Sequence, residues 1–198
     1  CVGRHHAARC HQQPLRAQGG GKGRGRSDRG RVGGGGHAGR LSPFALVREI
    51  RAWFDGPLLL SGSIASGDGI LAAQAMGADY AYIGSPFIAT EEARAADAYK
   101  QGIVDGSADD IVYSNLFTGV HGNYLRASIE AAGMDPDNLP DGDVSTMSFG
   151  SEREKPKAWK EIWGAGQGIG AVDAVRPAGE LVAKLAEEYA AARARLAL

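Results

Sequence analysis

The sequence has no uninterrupted apolar run approaching the roughly 18 residues that a membrane-crossing helix requires. Its first thirty residues lack the apolar segment of a secretory leader. Cysteine is nearly absent: Cys1 and Cys10 are the two in the chain, and both fall outside any segment that patterns as a folded element. Disulfide stapling is therefore not expected, and a reducing, cytoplasmic setting is the default. Residues 1–32 hold no Phe, Trp, Tyr, Ile or Met and a single leucine, Leu15. Such a stretch buries too little apolar surface to offset the entropy of ordering its backbone, so a disordered tail without strand or helix is expected.

Charge is divided unevenly. Residues 1–40 carry nine Lys/Arg against one acid, a net of +8, and residues 41–198 carry thirteen against twenty-two, a net of −9. The Gly19–Gly25 stretch with Arg24, Arg26, Arg29 and Arg31 has three readings. It is an Arg/Gly segment that binds nucleic acid through phosphates, a solvated tail, or an out-of-frame translation of a GC-rich gene. The last is favoured, and nucleic acid is not the expected partner. His5, His6, Cys10 and His11 match no standard zinc spacing, so no metal site is expected. Beyond the tail, 43% hydrophobic and 23% charged residues overall fit a globular domain.

The most informative stretch runs from Pro57 to Phe87. An apolar run, Leu58–Leu60, ends in Ser61-Gly62-Ser63. The alanine-rich segment Gly69–Met76 is closed by Gly77, and a second apolar run, Tyr80–Ile83, ends in Gly84-Ser85. This is the pattern of a βαβ unit with parallel strands, of which Leu58–Leu60 is apolar on both faces. Two small-residue loops on adjacent parallel strands leave backbone amides free for an anion. In a (β/α)8 barrel, phosphate sits on such loops. Serine hydroxyls at Ser63 and Ser85 add donors.

Upstream, Ser42-Pro43 predicts a helix start, with Phe44, Leu46, Val47, Ile50 and Trp53-Phe54 on one apolar face. The Gly33–Gly39 loop ahead of it carries one imidazole, His37. It is expected one strand earlier on the same barrel face, where a histidine can hold or remove a substrate proton. Downstream, Thr90–Ala93 predicts a helix start that continues through Arg94–Asp105. Ala108–Leu116 and Leu125–Ala132 predict short helices, Asp135–Phe149 a loop, and Lys157–Ile162 a helix. His121 in this block is a second, substrate-lining candidate. Trp163–Gly170 is a third glycine-rich loop, in which Gln167 suits hydrogen bonding to a heteroaromatic edge. Pro177–Leu198 predicts an amphipathic helix with Leu181, Leu185 and Tyr189 on its inner face.

Taken as a set, Gly35-Gly36-His37-Ala38-Gly39, Leu60–Gly67, Met76–Asp79, Ile83–Glu92 and Gly164–Gly168 resemble the nitronate monooxygenase family, over about residues 33–198. The resemblance implies a TIM barrel with a helical substrate domain and non-covalently bound FMN, its phosphate on the loops after the last two strands. It implies oxidation of alkyl nitronates by molecular oxygen. Close relatives use NAD(P)H to reduce quinones or enoyl thioesters, which is the alternative activity. An inactive fragment with a nucleic-acid-binding tail is the alternative of another class. By this resemblance His37 is the catalytic base or orienting group. The cofactor residues are Gly35, Gly36, Gly62, Ser63, Tyr82, Ile83, Gly84, Ser85, Gly166 and Gln167. Family members usually carry Gly at Ser63, Thr at Ser85 and Arg at Pro86, and Pro86 removes a backbone donor.

The fold class expected is thus α/β: the C-terminal part of a (β/α)8 barrel with a small helical insertion and a disordered basic tail. A complete barrel takes about 250 residues, so the first half of the barrel is expected to be missing. Four segments follow: a tail (1–32), barrel strands and helices (33–105), a helical lid (106–160), and a flavin-proximal loop with the last barrel helix (161–198).

Overall fold

The computed structural model describes residues 8–9, 35–39, 41–142 and 161–196. Two small sheets organise the chain. In the first, β1 (Ala8–Arg9), β3 (Leu58–Ser61) and β4 (Tyr80–Tyr82) run parallel with β3 central. In the second, β2 (Gly36–His37), β6 (Gly122–Leu125) and β5 (Ile111–Ser114) are antiparallel with β6 central.

The βαβ unit is present as predicted. Helix α2 (Gly67–Met76) crosses from β3 to β4. Ser66 caps it by accepting the Gly69 amide. Gly77 ends it in the left-handed region at φ 110°, where only glycine is unstrained. Leu59, Leu60 and Ser61 pair with Tyr80, Ala81 and Tyr82. Alternation along β3 buries Leu58 and Leu60 against helix α1 (Pro43–Arg51) and α2, where Leu46, Val47, Ile50 and Ala73 complete one core. The other face is not fully buried: Leu59 and Ser61 are half-buried and Tyr80 and Tyr82 exposed. The two-faced burial expected of β3 is corrected to one face.

Strand order and helix packing are tied together by one carboxylate. Asp79 accepts the Leu58 amide at 2.7 Å and the Arg51 guanidinium at 2.5 Å, and Arg51 also donates to the carbonyls of Phe54, Gly56 and Gly77. The Leu58 amide, then the arginine, hold the Asp79 carboxyl below the usual carboxylate range. A depressed folded-state pKa adds stability that is complete above the unfolded value of about 4 and disappears as pH falls through the folded value. Asp79→Asn is therefore expected to lower the unfolding free energy by about 1 kcal/mol at neutral pH, discounted for the half-exposed carboxylate. The gap from wild type should close as the pH is lowered below about 4. Urea titrations across that range measure it, and a pH-independent gap contradicts the assignment.

Helix α6 (Ala178–Arg195) lies on α2. Leu181 and Leu185 are buried, as predicted. Glu188 accepts the Gly67 amide, the Tyr189 hydroxyl donates to Gln74, and Arg195 pairs with Asp68. Glu92 caps the start of α6 by accepting the Ala178 amide.

Several expectations are corrected. Ala8–Arg9 forms a strand on Leu58–Leu59 inside the stretch read as lacking one; the Arg/Gly stretch and both cysteines lie outside the described residues. The Thr90–Ala93 helix start is absent: Thr90 bridges to Arg176, and helix α4 begins at Asp97 and runs to Asp105. A short helix, α3 (Ser85–Ile88), precedes that segment. The helix expected over 108–116 is a single turn followed by β5, because Ile111-Val112-Tyr113 finds a partner strand. Among the described residues the insertion thus carries an antiparallel sheet as well as helix α5 (Arg126–Ala131), and is not wholly helical. Phe44 and Trp53 leave the apolar face of α1 and are 72% and 60% exposed. Ser42 occupies the position before α1 without a side-chain cap bond. The helix expected over 157–162 falls almost wholly outside the described residues. Among the described residues no helix is long and apolar enough to cross a membrane.

Candidate flavin-phosphate site

The ends of β3 and β4 open onto one cavity of about 240 Å³, somewhat below the roughly 300 Å³ at which whole small-molecule sites begin. Gly35, Gly62, Ser63, Tyr82, Gly84, Ser85 and Gly166, all expected site residues, line it together. Gly62 and Ser63 have φ of 110° and 55°. Two successive residues of positive φ make a sharp turn where β3 meets the cavity. Ser63 pays for that turn with a Cβ in the left-handed region, about 1–2 kcal/mol for a residue other than glycine. Ser63→Gly is accordingly expected to raise thermal stability by about 1 kcal/mol. An unchanged or lowered melting temperature contradicts the strain.

The third loop closes the cavity from the opposite side. Ser85 Oγ accepts the Gly166 amide at 2.9 Å, which leaves its O–H free to donate. Close backbone contacts fix the loop. A Cβ on Gly168 would stand 2.7 Å from the Ser63 carbonyl oxygen, and one on Gly35 would stand 2.9 Å from the Ala165 carbonyl carbon. Glycine at both positions is therefore a packing requirement. Gly84 differs: a Cβ there meets no described atom within 4 Å, and its φ of −122° lies outside the left-handed region. Glycine at 84 leaves volume beside the cavity that the protein itself does not fill.

Two aromatic residues of the lining had not been anticipated. Tyr99 on α4 stacks on Trp163, with ring centroids 5.1 Å apart and planes 12° from parallel. Its hydroxyl donates to the Gly164 carbonyl at 2.5 Å, and burial pushes its pKa up to about 12. Trp163 is held in turn by its amide on Ser128 Oγ and its carbonyl on the Leu125 amide. An aromatic residue abutting Gly164-Ala165-Gly166 was the available sequence signal for Trp163. Among the described residues none that lines the cavity carries a charge. Among the described residues no group of three or more His, Cys, Asp or Glu could hold a metal.

Three expected site residues with described side chains, Ile83, Gln167 and His121, are not among the lining residues. Ile83 lies between the lining residues Tyr82 and Gly84, and Gln167 between Gly166 and Gly168. Gly36 and His37 form β2, paired with Asn123 and Gly122 in the antiparallel sheet. His37 is thus not one strand earlier in the parallel sheet, and that expectation is corrected. Gly35 nevertheless borders the cavity, so the motif enters the site at its edge. His121, the second histidine candidate, also lies outside the lining and stacks on Tyr113.

These features can be set beside known proteins. A monooxygenase-named protein of Mycobacterium tuberculosis is 30% identical over 169 residues, 78% of this chain and 45% of its own length. A nitronate monooxygenase of Paraburkholderia phytofirmans is 28% identical over 155 residues, 75% of this chain and 42% of its length. Among solved structures, FabK from Thermotoga maritima superposes with a TM-score of 0.62 at 24% identity, over 84% of this chain and 54% of that one. A nitroalkane oxidase from Streptomyces ansochromogenes gives 0.58 at 26%, over 83% and 52%. The chain thus spans about half the length of the relatives it matches. The family model of nitronate monooxygenase matches residues 30–188, which take in every loop of the cavity. With four-fifths of its length inside that match, the chain belongs to the nitronate monooxygenase family.

Proposed function

We propose that this chain is the cofactor-phosphate and substrate-proximal part of an FMN-dependent oxidoreductase that oxidises alkyl nitronates with molecular oxygen. The observation that carries the reading is the convergence of three loops, 62–63, 84–85 and 164–168, on one cavity whose described lining is uncharged, with open space at Gly84. A phosphate monoester suits such a cradle. The amides after Gly62 and Gly84 and the hydroxyls of Ser63 and Ser85 are donors, and among the described residues no carboxylate lines the cavity to repel it and no side chain fills the space beside Gly84. Pro86 offers no amide, so the loops and hydroxyls carry the task without it. Family membership and the likeness to a nitroalkane oxidase support the nitronate as substrate. In the same reading, β3 and β4 are neighbouring strands of a (β/α)8 barrel.

Bound there, FMN would supply the redox chemistry between nitronate and oxygen. The protein's own part is positional. Gly62, Ser63, Gly84 and Ser85 hold the phosphate. Gly35 and Gly166 bring the backbone close beside it. Tyr99 and Trp163 set an apolar wall that excludes water. His37 takes the proton when a neutral nitroalkane is offered in place of its anion.

The test is oxygen uptake by the chain supplied with FMN, given a pre-formed alkyl nitronate. Flavin-dependent uptake is expected. Bleaching of the flavin by NADH without air, with no reaction on the nitronate, replaces this activity by NAD(P)H-dependent reduction of a quinone or enoyl thioester.

A further inference from the structure

The His37 strand is held from one side by an aromatic pair. Strand β2 is two residues long, and its ladder sets His37 opposite Gly122. The next residue, Ala38, is gripped at both of its backbone polar groups. Its N–H donates to the His121 carbonyl at 2.9 Å, and its carbonyl accepts from the Tyr113 hydroxyl at 3.1 Å. The two gripping residues hold each other. Tyr113 is paired with Asn123 on the β5–β6 ladder, and its ring stacks on the His121 imidazole with centroids 4.8 Å apart and planes at 21°. That is the diagonal neighbour relation across an antiparallel pair. Thr118 shapes the connection that delivers His121, its hydroxyl donating to the Val120 carbonyl at 2.9 Å.

A strand of two residues has too few ladder bonds to fix its own position. The Ala38 clamp supplies the missing restraint next to the one histidine of the Gly-Gly-His-Ala-Gly loop. We propose that Tyr113 is a positioning residue for His37, acting through the Ala38 backbone with His121 as its stacking support. This inference rests on the functional reading above, in which His37 handles the substrate proton. It also gives His121 a role other than lining the substrate pocket.

Substrate choice isolates the step. With a neutral nitroalkane the α C–H bond breaks, its electron pair passes into the nitro group to form the nitronate, and the proton goes to His37. A pre-formed nitronate has already lost that proton. Misplacing a proton acceptor by about 1 Å lowers a rate tenfold to a hundredfold, so only the neutral substrate should respond to Tyr113.

The experiment uses the full chain with Tyr113→Phe, which keeps the ring and removes the hydroxyl. At matched FMN occupancy, kcat on a neutral nitroalkane should fall about tenfold with KM within about twofold, while turnover of the pre-formed nitronate is unchanged. In the flavin-free chain, hydrogen exchange at the Ala38 amide should quicken by about tenfold while that of Leu60 in β3 stays the same. Equal loss on both substrates, or an unmoved Ala38 amide, overturns the role of Tyr113 alone. Failure of the wild-type chain to turn over either substrate overturns the functional reading, and this inference with it.

Discussion

Gly84→Asp is expected to weaken FMN binding at least a hundredfold while leaving the fold intact. The backbone at 84, at φ −122°, is outside the left-handed region, and an added Cβ meets no described atom within 4 Å. An added Cβ therefore meets no backbone obstacle, in contrast to Gly35 and Gly168 in the same cavity. What it adds is a carboxylate beside the proposed phosphate. Two like charges about 5 Å apart, at an effective dielectric of about 20, repel by roughly 3 kcal/mol. That is about a hundredfold in affinity. Gly84→Ala takes up some of the same volume without the charge and should fall between wild type and Gly84→Asp. Flavin fluorescence titration gives the affinities, and a thermal melt confirms that stability has not moved. Equal FMN affinity in wild type and Gly84→Asp would place the phosphate elsewhere.

Gly67→Ala is expected to have the opposite signature, a large loss of stability without a direct effect on the cavity. Here α2 and α6 approach so closely that a Cβ on Gly67 would lie 2.1 Å from the Tyr189 backbone nitrogen and 2.6 Å from the Glu188 carbonyl carbon. Both obstacles are main chain, so no rotamer change relieves them. Helix α6 must shift by about 1 Å, which disturbs Leu181 and Leu185 and the bond from the Gly67 amide to Glu188. Overpacking of this kind costs about 3 kcal/mol. Alanine's better helix propensity offsets at most about 1 kcal/mol of that. The net loss of about 2 kcal/mol corresponds to a melting temperature roughly 4–8 °C lower in a domain of this size. A melting temperature equal to that of wild type contradicts the close crossing of the two helices.

The parts of the fold that were legible in the sequence are those where local chemistry and tertiary demand agree. The βαβ unit announced itself through two apolar runs, an alanine-rich segment and Gly77. Its two small-residue turns reappear side by side on the cavity, with Gly166 across from them. The last helix was legible for a similar reason: Leu181 and Leu185 recur at helical spacing and both are buried on α2. The misreadings cluster where pairing with a distant segment decides the outcome. Ile111–Ser114 is a short apolar run whose periodicity fits either state. Its β-branched and aromatic residues favour a strand, and that signal was outweighed by helical spacing. Gly122–Leu125 is a fully buried strand despite beginning Gly-Asn, residues depleted in strands. Its conformation comes from β5 on one side and β2 on the other. Thr90 was read as a helix start, but its backbone joins Arg176 more than eighty residues away.

The same distinction holds within the site. Glycines were found because a turn or close approach leaves a compositional trace. Tyr99 was missed because it looks like any apolar position of α4 until Gly164 and Trp163 are folded against it. His37 was legible as a chemical group, but its sheet was not. Two residues carry no periodicity, and only the ladder to Asn123 and Gly122 shows which neighbours they take.

The central claim is that the loops after β3 and β4, closed by Gly166, hold the phosphate of a flavin. Parallel titrations of the chain with FMN and with riboflavin test it most directly, since the two ligands differ only in that phosphate. The account predicts that FMN binds at least tenfold more tightly, a difference of about 1.4 kcal/mol or more, and that Gly84→Asp removes the preference. Equal affinity for FMN and riboflavin in the wild-type chain would contradict it.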